Sequence, residues 1–355
     1  MSSILPSAAE VRAAATRLTG LVRETPLIAS PELSARAGGE VLLKLECEQD
    51  GGSFKLRGAL HAMLALDDAA RARGVVASSA GNHGIGIAMA AERLGVPATV
   101  FVPATAPAVK REKIAARGVT VIATEPTYDS AESAARAFAR ETGATFVSPC
   151  TGRPLLAGAG TVALEVMTGR PDVATMLVCV GGGGLAGGVG GYLREAAPTV
   201  RIVGAQSVRT NAMALALASG QATDIPDLPT LADGLAGLVD AEMLAQGRAG
   251  LDAIVTVEED EIAEAIRFLH EAHGLVVEGS GAVGVAALRA GRVRPAQGPV
   301  AVIVSGANID AARWHALVAA DAAEAADVDG RRGGVTRQPA ASSDASPPSR
   351  PRPSR

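Results

Sequence analysis

Short apolar runs alternate with helix-periodic segments along most of this chain, and few folds accommodate that alternation. VLLKLE (41–46), GVVASS (74–79), PATVFVP (97–103), VTVIAT (119–124), ATFVSP (144–149), MLVCV (176–180), VRIVGAQ (200–206), DAIVTV (252–257) and VAVIVS (300–305) read as strands. Between them lie segments of helical period: one ending near Ala72, then GIGIAMAAERLG, PAVKREKIAARG, Ser130 to Glu141, GTVALEVMTG, LAGGVGGYLREA and EEDEIAEAIRFLHEAHG. Apolar strands joined by helical crossovers predict an α/β protein with doubly wound, mostly parallel sheets covered on both faces. Thr256 with Glu259 predicts a capping box, and Gly274 stands where a helix-ending glycine belongs.

The chain of 355 residues has room for two such units at roughly 150 residues each. The expected division is a large domain from 1–72 and 151–325, with a small domain at 73–150 inserted in it. Residues 326–355 are rich in Pro, Ser and Arg and too poor in apolar side chains to pack, so a disordered tail is expected.

Composition narrows the function classes. Only 2% of residues are aromatic and the net charge is -4, which offers neither stacking platforms nor a basic surface for nucleic acid. Cys47, Cys150 and Cys179 are widely spaced and form no CxxC pair, which argues against a disulfide framework or a Cys-rich zinc site. No run of about 18 apolar residues is present to span a bilayer, and MSSILPSAAEVRAAATRL lacks the pattern of a signal peptide. A cytoplasmic protein with no membrane or nucleic-acid partner is expected.

In parallel α/β sheets, ligands collect in loops beyond the carboxyl ends of strands. Four such loops carry unusual residues. GGSFKLRGAL (51–60) puts Lys55 in the first turn of a helix, with Ser53 as the expected N-cap. That end of a helix carries a positive field. Lys55 is therefore either a solvated side chain or an amine whose surroundings favour its neutral, nucleophilic form. SSAGNHG (78–84) joins a strand to a helix, where backbone N–H groups can hold a carboxylate; ordinary turn chemistry is the alternative.

MLVCV-GGGGLAGGV (176–189) frees the backbone to wrap an anion at a helix start, and phosphate is the natural guest. A nucleotide P-loop would end in Lys and Ser or Thr, which are missing. Residues 182–187 satisfy GxGxxG, but the following strand ends at Gln206 with no ribose-binding acid. In VIVSGAN (302–308), Ser305 ends a strand, where its hydroxyl can face a ring nitrogen or bond to local backbone. His270 and His273 lie three apart on a helix, yet no Cys, Asp or Glu stands at ligand spacing beside them.

In this order, the four loops resemble the serine/threonine dehydratases of the tryptophan synthase β-like, fold type II pyridoxal-phosphate enzymes. The likeness runs from Thr25-Pro26-Leu27 to Asn308 and takes in LKLE (43–46), GSFKLRGA (52–59), SAGNHG (79–84), LGVPATVFVP, AGAGTVALE (157–165), GGGGLAGG, TLADGLAG (230–237), VVEGSGAVG (276–284) and SGAN.

The resemblance implies that pyridoxal 5'-phosphate is carried by Lys55 as a Schiff base and flanked by Phe54. Asn82 would meet its ring oxygen, and Ser305 its ring nitrogen. Gly181, Gly182, Gly183, Gly184 and Leu185 would cradle the phosphate, with Glu278 nearby. Ser79, Asn82 and His83 would hold the substrate carboxylate, with Ala80 beside Cα. A homodimer is the family expectation.

Three departures stand out. Gly51 replaces the usual Thr. Gly279-Ser280-Gly281-Ala282 replaces Pro-Ala-Gly-Ala. Gln206 and Ala212 occupy positions that are acidic in metal-binding relatives, so no metal is expected at that site.

The implied activity is β-elimination from L-threonine, L-serine or a related β-hydroxy amino acid, giving a 2-oxo acid and ammonia. A neutral serine at the ring nitrogen leaves the ring a weaker electron sink than an Asp partner would, which suits elimination better than a long-lived carbanion. The alternatives are serine racemase, 3-hydroxyaspartate dehydratase and a dehydratase of hydroxyectoine breakdown. Racemases of this family carry serine where Ala80 stands, and alanine cannot transfer a proton.

Overall fold

The computed structural model describes residues 4–295 and 297–319. Its ten strands are β1 (Leu27–Ala29), β2 (Val41–Lys44), β3 (Val75–Ser78), β4 (Ala98–Pro103), β5 (Thr120–Glu125), β6 (Thr145–Phe146), β7 (Thr175–Cys179), β8 (Arg201–Ser207), β9 (Ala253–Val257) and β10 (Val300–Ile303). They form a six-stranded sheet in the order β1-β2-β10-β7-β8-β9 and a four-stranded sheet in the order β5-β4-β3-β6. All pairings are parallel except β1 with β2. The doubly wound α/β reading of the sequence therefore holds. The expected tail at 326–355 lies outside the described residues.

Every residue of β2, β3, β7 and β10 is buried, as continuous apolar runs require in a sheet covered on both faces. β5 sits at a sheet edge and stays partly exposed. The smaller sheet draws all its strands from residues 75–146, while the larger uses segments on both sides of that stretch.

Local signals place the helices with some adjustments. The opening helix, Ala8–Leu18, carries a capping box of Ser7 and Glu10 that pattern reading overlooked. The helix expected to run to Ala72 is two helices, Lys55–Leu64 and Asp68–Arg73, because Asp67 accepts from Ala70 N at 2.7 Å and restarts the turn. Ser53 is not an N-cap; it is extended and bridges Gly306, so the helix opens at Lys55 itself. Thr256 belongs to β9, and the capping box one turn on is Glu258 with Glu261. The freed Glu259 carboxylate accepts from Ser207, from Thr230 Oγ1 at 2.8 Å and from Leu231 N at 2.6 Å.

Helix Arg153–Gly169 begins seven residues before the expected GTVALEVMTG and packs on helix Gly184–Ala196 through glycines. A Cβ at Gly188 would lie 2.4 Å from Leu156 O, so this crossing admits no side chain there. It brings the starts of the two helices close to the end of β7.

Candidate active site

Lys55 is presented by a stretch tied to the end of β10. Phe54 N donates to Ser305 O at 3.2 Å, Ala307 N donates to Gly52 O at 2.8 Å, and Ser53 bridges Gly306. Gly51 and Gly52 both take left-handed φ, +77° and +75°, which turns the chain from a 3-10 turn into the helix. The substitution of Gly for Thr at position 51 thus coincides with a backbone that a β-branched residue would strain.

Lys55 Nζ donates to Pro149 O at 2.7 Å and lies 5.2 Å from the Phe54 ring centre. A small cavity at its base is lined by Phe54, Lys55, Gly58, Pro149, Leu155, Ala159 and Gly184. The amine and the start of the glycine helix therefore share one space.

The glycine stretch ends β7 and opens helix Gly184–Ala196, with Gly183 at φ +86°. Gly187 N is the amide that returns to Gly183 O, at 2.7 Å. By helix geometry the N–H groups of Gly184, Leu185 and Ala186 point out of the helix start. Close packing forbids side chains: a Cβ on Gly182 would lie 2.6 Å from Cys150 Sγ, one on Gly184 3.1 Å from Cys150 Cα, and one on Gly181 3.1 Å from Leu235 Cα. Bare amides at the positive end of a helix dipole fit a phosphate, and the residues present fit pyridoxal 5'-phosphate.

Ser305 follows β10 and is buried, its Oγ 3.5 Å from Ser280 O. Its hydroxyl also meets the Cys179 thiol at the end of β7, whose pKa is pushed up by burial. Ser280 Oγ is buried and has no partner among the described residues.

Asn82, expected to face the ring oxygen, begins helix Asn82–Leu94 and is held by two side chains. Its Nδ2 donates to Glu278 Oε1 at 2.6 Å, and its Oδ1 accepts from Asn308 Nδ2 at 2.7 Å. Glu278 caps helix Gly279–Arg289 with its side chain buried. Burial raises its pKa to about 7, against the lowering influence of the Asn82 bond. Asn308 also donates to Gly51 O at 2.7 Å and accepts from Lys113 Nζ at 2.6 Å.

Ser79 and Ala80 lie in the loop leading to this helix, where Ser79 Oγ accepts from Gly81 N at 3.1 Å. A Cβ on Gly84 would come within 2.1 Å of Ser79 O, so the loop folds tightly over the helix start. The His83 ring is turned inward. Its Nε2 donates to Val147 O at 2.9 Å, which leaves Nδ1 as the lone-pair nitrogen. Burial and the Lys55 charge lower its pKa to about 3, so the imidazole is neutral. What His83 can offer a carboxylate is its backbone N–H.

Several neighbours escaped sequence reading. Asn308 stood in the SGAN motif without a role, and Lys113 looked like one cation on a solvated face. Pro149 and Cys150 gave no signal, since their importance arises from packing against the glycine loop. Gln206 uses its amide locally, donating to Thr210 O at 2.8 Å and accepting from Ala214 N at 3.0 Å. His270 and His273 do not meet a common ligand: His270 stacks edge-on against Trp314, and His273 Nε2 lies 2.8 Å from Ser30 Oγ.

A doubly wound α/β protein with a lysine beside a glycine-cradled helix start and a serine at the end of a central strand defines a cofactor-dependent enzyme of the fold type II class. The comparisons agree. The profile of the family described as "Pyridoxal-phosphate dependent enzyme" matches residues 18–306, and the chain belongs to that family. It is 41% identical over 302 residues to the L-threonine ammonia-lyase of Thermotoga maritima, covering 85% of this chain and 75% of that protein.

Among solved structures, maize serine racemase superposes with a TM-score of 0.83 at 30% identity, covering 92% of this chain and 99% of that one. A bacterial relative, the threonine deaminase of T.th., does so with 0.78 at 34% identity, covering 86% and 99%. Among the described residues, no helix is long and apolar enough to cross a membrane.

Proposed function

We propose that the protein catalyses β-elimination from a β-hydroxy amino acid of the L-threonine or L-serine type, releasing a 2-oxo acid and ammonia. The observation that carries this reading is the asymmetry of the site: Lys55 is the amine at the glycine cradle, while Ala80 stands in the loop expected beside Cα. The kinship with ammonia-lyases supports it.

Pyridoxal 5'-phosphate would be held by the amides of Gly181 to Leu185 at its phosphate, Lys55 at its aldehyde carbon, Ser305 at its ring nitrogen and Asn82 at its ring oxygen, with Phe54 alongside. When bound, that group withdraws electrons from the substrate Cα. The protein does the rest. The helix-start amides and the Ser79 hydroxyl bind and orient the α-carboxylate. The Lys55 amine takes the Cα proton, and the β-hydroxyl leaves as water. The released enamine hydrolyses to the 2-oxo acid and ammonia, so the water lost in elimination is regained.

Serine racemisation is the second reading, favoured by the maize enzyme's likeness. It requires an acid on the far face of Cα, and alanine at position 80 supplies none. The enzyme is read as a cytoplasmic homodimer, a state that size-exclusion chromatography with light scattering checks.

The test is Lys55→Ala. The visible absorbance of bound cofactor is expected to change, and 2-oxo acid formation from L-threonine and L-serine to fall by on the order of 10³-fold or more. An unaltered spectrum would remove Lys55 from its role, and racemisation of L-serine outpacing elimination would overturn the reaction class.

A further inference from the structure

Lys113 belongs to helix Ala108–Ala115, most of whose surface faces solvent, yet its ammonium is drawn in over the site. Its Nζ donates to Asn308 Oδ1 at 2.6 Å. Through its Nδ2, the same Asn308 amide contacts Asn82, the first residue after the loop expected to hold the α-carboxylate, and Gly51, at the head of the stretch that carries Lys55. One amide group therefore separates the Lys113 ammonium from both halves of the active site.

The other lysine of this helix, Lys110, faces a carboxylate, Asp233 at 3.7 Å. Arg117, just past the helix end, pairs with Glu92 at 2.9 Å. Among the described residues no carboxylate lies within ion-pairing distance of Lys113. An ammonium has three donors, and the Asn308 oxygen takes one. Burial lowers the pKa of Lys113, a sign that its head has given up part of its hydration, and Glu278 opposes that shift from a distance. A partly dehydrated cation with spare donors and a neutral partner is arranged to receive an anion.

We infer that Lys113 is a specificity-determining residue that selects β-hydroxy amino acids bearing a second carboxylate on the side chain, the 3-hydroxyaspartate class. This rests on the β-elimination reading above. The α-carboxylate is taken by the loop at 79–83, so a cation at this rim has use only for a second acidic group. The methyl of threonine or the hydrogens of serine leave those donors to water.

The test compares holoenzyme, Lys113→Ala and Lys113→Arg in two measurements. The first is the ratio of kcat/KM for L-3-hydroxyaspartate to that for L-serine. The second is the ratio of half-saturating L-alanine to L-aspartate, read by the cofactor's absorbance; neither amino acid carries a β-hydroxyl to lose. In Lys113→Ala both ratios are expected to fall on the order of 10- to 100-fold, the size of one charge-assisted contact, with the first change mainly in KM. Lys113→Arg keeps the charge and is expected to retain most of both. Ratios unmoved by Lys113→Ala, or a wild-type enzyme without preference for the dicarboxylate, would overturn the inference. If no β-hydroxy amino acid yields a 2-oxo acid, the β-elimination reading fails, and the L-aspartate to L-alanine ratio still decides the role of Lys113.

Discussion

The ion cluster built on Arg57 and the polar cluster built on Glu278 are both buried, yet only the first is closed. Arg57 donates to Glu46 at 2.8 Å through Nε and again through Nη2, and to Glu165 at 2.5 and 2.9 Å. It also reaches Arg23 O at 3.1 Å and Thr161 Oγ1 at 3.2 Å. Lys44 completes the set, bonding Glu165 at 2.5 Å and Thr25 O at 2.6 Å, and Thr25 Oγ1 donates to Glu46 at 2.6 Å. Two cations face two carboxylates, and these residues fix strand β2, helix Lys55–Leu64 and helix Arg153–Gly169 to one another.

Around Glu278 the balance is different. A carboxyl near its titration point, an amide chain through Asn82 and Asn308, a partnerless Ser280 hydroxyl and a partnerless His83 Nδ1 leave bonding capacity unspent. Closed polar networks hold a scaffold in one state, while open ones are where a ligand completes the set. Lys55 stands two residues from Arg57, so the rigid cluster anchors the helix that presents the reacting amine.

The largest test of this contrast is Arg57→Met. It strands Glu46, which is 0% exposed, without a counter-charge. Stability to urea unfolding is expected to fall by about 3–5 kcal/mol, or the soluble yield to collapse. A loss below about 1 kcal/mol would show that the cluster is not what anchors the helix.

Next in size is the pH response of the open cluster. Glu278 has its pKa raised from 4.5 to about 7 in the fold, so between those values the native state binds more protons than the unfolded chain. Stability from this group is therefore present at low pH and lost as pH rises through that window, by up to about 3 kcal/mol in cofactor-free protein. Urea midpoints measured from pH 5 to pH 7.5 should show that decline relative to Glu278→Gln, whose curve is expected to be flatter. Parallel curves would remove Glu278 as the source.

The smallest effect is steric. Gly182→Ala would press a Cβ against Cys150 Sγ, costing about 1–3 kcal/mol, and should weaken cofactor retention on dialysis more than global stability. Equal retention would show that the 149–150 loop yields freely.

Much of this was legible in the residues. The order of strands and helices followed from apolar runs and periodicity, and the glycine loop and Lys55 from residues that sit oddly for plain structure. Several quoted motifs proved to serve the scaffold instead: Lys44 and Glu46 of LKLE, Arg57 of GSFKLRGA and Glu165 of AGAGTVALE meet in the closed cluster. Their spacing along the chain, up to 121 residues between Lys44 and Glu165, hides that meeting from any local reading. Caps were less legible, because Ser53 and Thr256 had rival backbone partners that only strand pairing revealed.

By itself the sequence determined the local conformations and the chemical inventory: buried strands, helix starts with free amides, one amine beside glycines. These depend on neighbours a few residues apart. Tertiary structure alone decided which polar groups would be satisfied. Pairing Asn82 with Glu278, Asn308 with Gly51 and Lys113 with Asn308 spans 196, 257 and 195 residues. Whether a buried group is closed or open depends on what folding brings within 3 Å of it, and no stretch of chain carries that information alone.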